Sequence, residues 1–133
     1  MKIKYTLVSL GLTLLSACQV ISPVFVEYNG VRMDVAKWIN NQQLLSMQEK
    51  RSLVQLSKAQ QQLVRIDTIP EAKKIDIAKE NAIAMHCAQQ HLSANKIEQL
   101  QTVIFTDDKL RILTTFDQQF PKFKLDAKLI QCD

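Results

Sequence analysis

From residue 35 onward, apolar side chains recur at steps of three and four, the spacing that keeps one face of an α-helix apolar. Val35, Trp38, Ile39, Gln42 and Leu45 share such a face, with Asp34 as a candidate N-cap. Ser46-Met47-Gln48-Glu49 has the S-x-x-E form of a capping box, so a break and a new helix are expected near Ser46. From there Leu53, Leu56, Gln60 and Leu63 keep a seven-residue rhythm to about Ile66. Thr68-Ile69-Pro70-Glu71 is a further start signal, since proline is tolerated in a first turn and Glu71 suits the positive end of the helix dipole. The helix it opens would bury Ile75, Ala78, Ala82 and Met85 and run to about Leu92. Ser93 and Asn95 are candidate caps for a helix carrying Ile97, Leu100 and Ile104. Thr106-Asp107-Asp108 opens one more, with Leu110, Leu113, Phe116 and Phe120 on one face and Pro121 as its stop.

Both ends of this region read differently. Val24 to Tyr28 and Val31 to Val35 are β-rich runs around Asn29-Gly30, a dipeptide favoured in tight hairpin turns. The pattern therefore allows a short N-terminal β-hairpin, or equally an extended arm with one turn. Phe123 to Ile130 alternates like a strand at first and then offers Asp126 as the cap of a last helical turn. The fold class that follows is mainly α: a small bundle of four to five helices whose short connections favour antiparallel neighbours.

The first 17 residues belong to another pattern. Met1 to Lys4 carries two positive charges, Tyr5 to Leu15 is nearly all apolar, and Ser16-Ala17-Cys18 follows, the three-part layout of an export signal. The apolar run is shorter than the roughly 20 residues that a membrane-spanning helix needs. Leu15-Ser16-Ala17-Cys18 resembles the lipobox of bacterial lipoproteins. That resemblance implies cleavage between Ala17 and Cys18, a diacylglyceryl group on the Cys18 thiol and, in many bacteria, a third chain on its new amino group. Two or more acyl chains make a stable anchor where one is marginal. In enteric lipoproteins the residue after the cysteine directs sorting, and in a Gram-negative host Gln19 in place of Asp implies the outer membrane with the domain in the periplasm, the inner membrane or surface exposure being the alternatives. Residues 1–17 thus read as signal, 18–23 as lipidated tether and 24–133 as a single helical domain.

Removing the signal leaves 116 residues with 15 basic and 13 acidic side chains, so the mature net charge is only +2. This gives no electrostatic footprint for nucleic acid. Gly11 and Gly30 are the two glycines of the chain, too few for a phosphate-binding loop and poorly suited to an all-β fold with many tight turns. No cofactor is implied by any motif.

Cys87 and Cys132 remain once Cys18 is acylated, and in an exported domain two such thiols are expected to pair. The bridge would staple the C-terminal tail to the bundle. Two rival uses stay open. His86 adjoins Cys87, and His91 lies four residues on, where an imidazole can meet the thiol as a catalytic pair. The same residues could join a zinc site, although structural zinc takes four ligands and the chain has no second cluster. Asp107-Asp108 reads as helix capping, and Trp38, Phe116, Phe120 and Phe123 as core.

In its lipobox, small size, helical pattern and a Cys87 to Cys132 pairing, the chain resembles the small pilotin lipoproteins that escort type II secretion secretins. The Asn29-Gly30 turn and the length of chain before Cys87 depart from that pattern, and no binding residue carries over. The resemblance implies a non-enzymatic adaptor or chaperone, bound to the membrane through Cys18 and, through its helical surface, to an envelope protein, of which a secretion-system component is one candidate. The alternative class is a periplasmic inhibitor, immunity or envelope-stress lipoprotein.

Overall fold

The computed structural model describes residues 30–132. The signal, Cys18, the tether and the first run of the hairpin lie outside the described residues. Of the second run, Met33 to Val35 form the first turn of a helix. Among the described residues there are five α-helices: α1 (Met33–Asn40), α2 (Met47–Gln61), α3 (Glu71–His91), α4 (Ala94–Phe105) and α5 (Lys109–Gln119). Short 3-10 turns stand at Ile66–Thr68, Thr106–Asp108 and Ala127–Leu129. The bundle of four to five helices expected from the pattern is therefore the fold, and no helix among the described residues is long and apolar enough to cross a membrane.

Helix α2 is the centre. It packs on α1, α3 and α4, while α4 also meets α5. Leu53, Leu56 and Leu63 from the α2 segment and Leu100 from α4 have no exposed surface, and Val35, Ile39, Ile104 and Ile112 close the core around them. Burying a leucine in this way contributes on the order of 2 kcal/mol.

The caps follow local chemistry. Ser46 accepts a hydrogen bond from the Glu49 amide at 3.1 Å, and Ser93 does the same for Lys96 at 3.1 Å. The capping box is only half made, because the Glu49 carboxylate meets the Ser46 hydroxyl at 3.2 Å instead of its amide. Asp126 caps the last 3-10 turn through the Lys128 amide, as its position suggested. Asp34 is not an N-cap: the cap position is Arg32, and Asp34 sits one residue inside the first turn, bonded to the Arg32 guanidinium.

Glycine scarcity shapes the other helix ends. A helix commonly ends on glycine in the left-handed region, which satisfies its last carbonyls, yet the described residues hold one glycine, Gly30, with φ +84°. Side chains from elsewhere do the work. The Arg32 guanidinium donates to the Val103 and Ile104 carbonyls at the end of α4, at 3.1 and 3.0 Å. Asn81 Nδ2 donates to the Ala59 carbonyl near the end of α2 at 3.0 Å, and Gln42 Nε2 to the Trp38 carbonyl of α1 at 3.1 Å. These are carbonyls of last turns, which lack helical partners.

After α4 the chain turns through Thr106 at φ +54°, a conformation that crowds a β-branched side chain. Thr106→Gly removes that strain at the cost of a more flexible unfolded chain, and we expect a net gain of up to about 1 kcal/mol. Chemical denaturation of the two proteins checks the sign. A loss of stability would mean that the Thr106 hydroxyl bond to the Phe105 carbonyl, at 2.7 Å, outweighs the strain.

Two buried faces differ from the expected ones. In α3, Ile75 is exposed and Ala82 and Met85 are only half-buried, while Ile77, Ala78, Asn81, Ala84, Cys87 and Ala88 are buried. The reason is Asn81, a polar residue at the centre of the buried face, held there by its bonds to Ala59 and Ile77. Small Ala84 and Ala88 beside it allow a close approach to α2. In α5, Leu110 is exposed and Ile112 is the buried residue, because the chain enters α5 through a 3-10 turn that shifts its phase.

Candidate functional site

Cys87 and Cys132 stand together as a disulfide, with sulfurs 2.00 Å and Cα atoms 5.5 Å apart. Cys87 is fully buried on α3. Phe120, buried at the end of α5, lies under Lys74 of α3, whose ammonium is 5.3 Å from the ring centre. The tail therefore leaves α5 near the start of α3 and returns to it at Cys87.

With Cys87 bonded to sulfur, the Cys87 and His91 pair is not assembled as a nucleophile and base. His86 Nε2 lies 2.9 Å from the Gln90 side-chain amide nitrogen, so it is engaged along its own helix. No group of three or more His, Cys, Asp or Glu converges among the described residues. Asp107 and Asp108 do not cap α5 as expected. Asp108 occupies the cap position, but its carboxylate bonds to Arg111 at 2.8 and 3.1 Å, and Arg111 also reaches Asp67 at 2.8 Å. These hydrogen bonds lower the pKa of Asp108 and raise that of Arg111. The network pins the turn at Ile66–Thr68 to the start of α5. Its members are exposed ion pairs and contribute little each.

A second polar centre lies where the chain enters the bundle. Gln61 donates to the Gly30 carbonyl at 2.7 Å and accepts from the Arg32 amide at 2.8 Å. Arg32 bonds to both Asp34 oxygens, at 2.6 and 2.9 Å, which holds the Asp34 carboxyl below its ordinary range. The Nε and Nη2 donors of Arg32 are thus committed to structure, and the cluster clamps residues 30 to 32 onto the ends of α2 and α4.

The aromatic residues are mostly core, as expected. Phe120 is buried and Trp38 and Phe116 pack against the core, whereas Phe123 is exposed. Lys96 sits over Trp38 at 5.7 Å and bonds to Gln42 at 2.9 Å, which ties α1 to α4.

What the pattern did not single out is a groove of about 530 Å³ between the second half of α3, α4 and α5. Leu92 and Ile97 are its buried floor, and half-buried Met85 and Leu113 are its walls. Gln89, Glu98, Gln101 and Lys109 form a polar rim. Lys109 crosses from α5 to α4, 3.0 Å from Thr102 Oγ1 and 3.5 Å from Glu98, and so holds one edge in place. The periodicity that marked Met85 and Leu113 as apolar could not show that the two helices diverge there. An apolar floor with an uncharged or internally paired rim is suited to binding an apolar surface.

In comparison with known proteins, no family model, no curated protein and no solved structure matches this chain.

Proposed function

We propose that the chain is a lipoprotein, cut before Cys18 and held by acyl chains at the outer membrane, whose periplasmic helical domain serves as a non-enzymatic adaptor or chaperone for an envelope protein. In this reading it acts as the pilotin lipoproteins do, placing a secretion-system component. The observation that carries the proposal is the groove of α3, α4 and α5. A partner's amphipathic helix presents anchors at steps of three and four residues along one face, and the line of Met85, Leu92, Ile97 and Leu113 offers apolar surface of that kind. The disulfide supports the same reading, since it withdraws the thiol that an enzyme would use.

The test is recovery of the partner. The acylated protein, purified from membranes in mild detergent, is expected to bring down one stoichiometric envelope protein. Met85→Glu places a charge on the groove wall at a half-buried position, and recovery should fall roughly tenfold, the equivalent of about 1.4 kcal/mol. Purification of the lipoprotein alone, or equal recovery by the variant, would count against the adaptor and against the groove respectively.

A further inference from the structure

We propose that residues 121–132 form a redox-latched strap: opening the Cys87 to Cys132 bond frees this segment as a unit while the five-helix bundle persists.

The bundle does not need the strap for its core. Every residue of the buried cluster lies at or before Phe120. Within the strap, Leu125, Ile130 and Cys132 are half-buried and all the other residues are exposed. Apart from Cys132 Sγ, which lies 3.9 Å from Gln90 Oε1, its polar contacts are local. Lys122 pairs with Asp117, the Leu129 amide bonds to the Asp126 carbonyl, and Lys128 is capped by Asp126. Among the described residues, no hydrogen bond or ion pair joins Phe123 to Gln131 to α1, α2, α3 or α4. The disulfide, with the partial burial of Leu125 and Ile130, holds the segment down.

Its course follows from its two ends. Phe120 lies at Lys74, and Cys132 joins Cys87, thirteen residues further along α3. At 1.5 Å per residue that is about 20 Å of helix between the two ends of the strap.

The chemistry is thiol–disulfide exchange with a dithiol, such as an exported dithiol oxidoreductase. A reductant thiolate attacks Cys132 Sγ, the more accessible sulfur, and Cys87 leaves as a thiolate that takes up a proton. The second reductant thiol then attacks the mixed disulfide and Cys132 leaves. The chain gains two electrons and two protons, and the reductant becomes a disulfide.

Backbone relaxation of the full mature chain, with and without dithiothreitol, tests the latch. Oxidised, residues 123–131 are expected to share order parameters near about 0.8, and on reduction to fall below about 0.6. Signals of α1 to α5 should keep their dispersion. Cys132→Ser should show the reduced pattern without reductant. Unchanged order in the strap after reduction would overturn the proposal, because other contacts would then hold it. Collapse of the bundle signals on reduction would also overturn it, because the bond would then be holding the fold. Neither outcome bears on partner recovery by the oxidised protein, so the latch and the adaptor reading fail separately.

Discussion

Cys132→Ser lowers the unfolding free energy by about 1 to 4 kcal/mol and the melting midpoint by roughly 5 to 15 °C, the upper figures applying if the folded chain keeps Cys132 at Cys87 without the bond and the lower if the strap is freed in the folded state as well. The magnitude comes from the unfolded chain. A bond between residues separated by 45 positions removes loop-closure freedom from the denatured ensemble. The folded state loses little, because the strap supplies none of the buried cluster and Cys87 can remain in place as a small apolar residue. The double variant Cys87→Ala with Cys132→Ser should lose a similar amount, which separates the cross-link from any reaction of a stranded thiol. Calorimetry and denaturant titration of the oxidised protein and both variants measure it. A loss under about 1 kcal/mol would mean that the reduced chain keeps the two ends close, and the entropic account would be wrong. A domain of this size is stable by about 5 to 15 kcal/mol, so a loss of this size leaves the bundle folded at moderate temperature.

What the sequence made legible is what short-range chemistry decides. Ser46, Ser93 and Asp126 lie where a hydroxyl or carboxylate can reach an amide two or three residues on, and each accepts that bond in the structure. Leu53, Leu56, Leu63, Leu100 and Ile104 were placed in the core because their spacing leaves a single choice of face. Where two faces compete, the choice belongs to the tertiary structure. Ile75 looks like a core residue beside Asn81, yet Asn81 has the better claim, because it can bond the unpaired Ala59 carbonyl of another helix. Leu110 and Ile112 differ only in phase, and the phase is set by the 3-10 turn ahead of them. The groove was out of reach for the same reason. Its floor and walls come from three helices, and their divergence is a property of packing.

Cys18→Ser is expected to move the protein from the membrane fraction or to block its processing, with complete loss of palmitate incorporation, while the domain folds as before. The thiol is the atom that carries the acyl chains in the lipobox reading, and a serine hydroxyl does not replace it. With two or more chains the wild-type protein should resist high salt, because each buried methylene contributes about 0.8 kcal/mol and salt does not weaken that. The fold should be indifferent, since the buried cluster among the described residues starts at Val31 and Gln61 fixes the backbone at Gly30 and Arg32. Equal melting midpoints and an intact Cys87 to Cys132 bond in the variant would establish that separation. Metabolic labelling, membrane fractionation and the size of the mature protein make the measurement together. Continued labelling, unchanged processing and retention in the membrane would remove the anchor, and with it the reason to place the groove at an envelope partner. The groove and the disulfide would then need a function that does not depend on being held at a membrane.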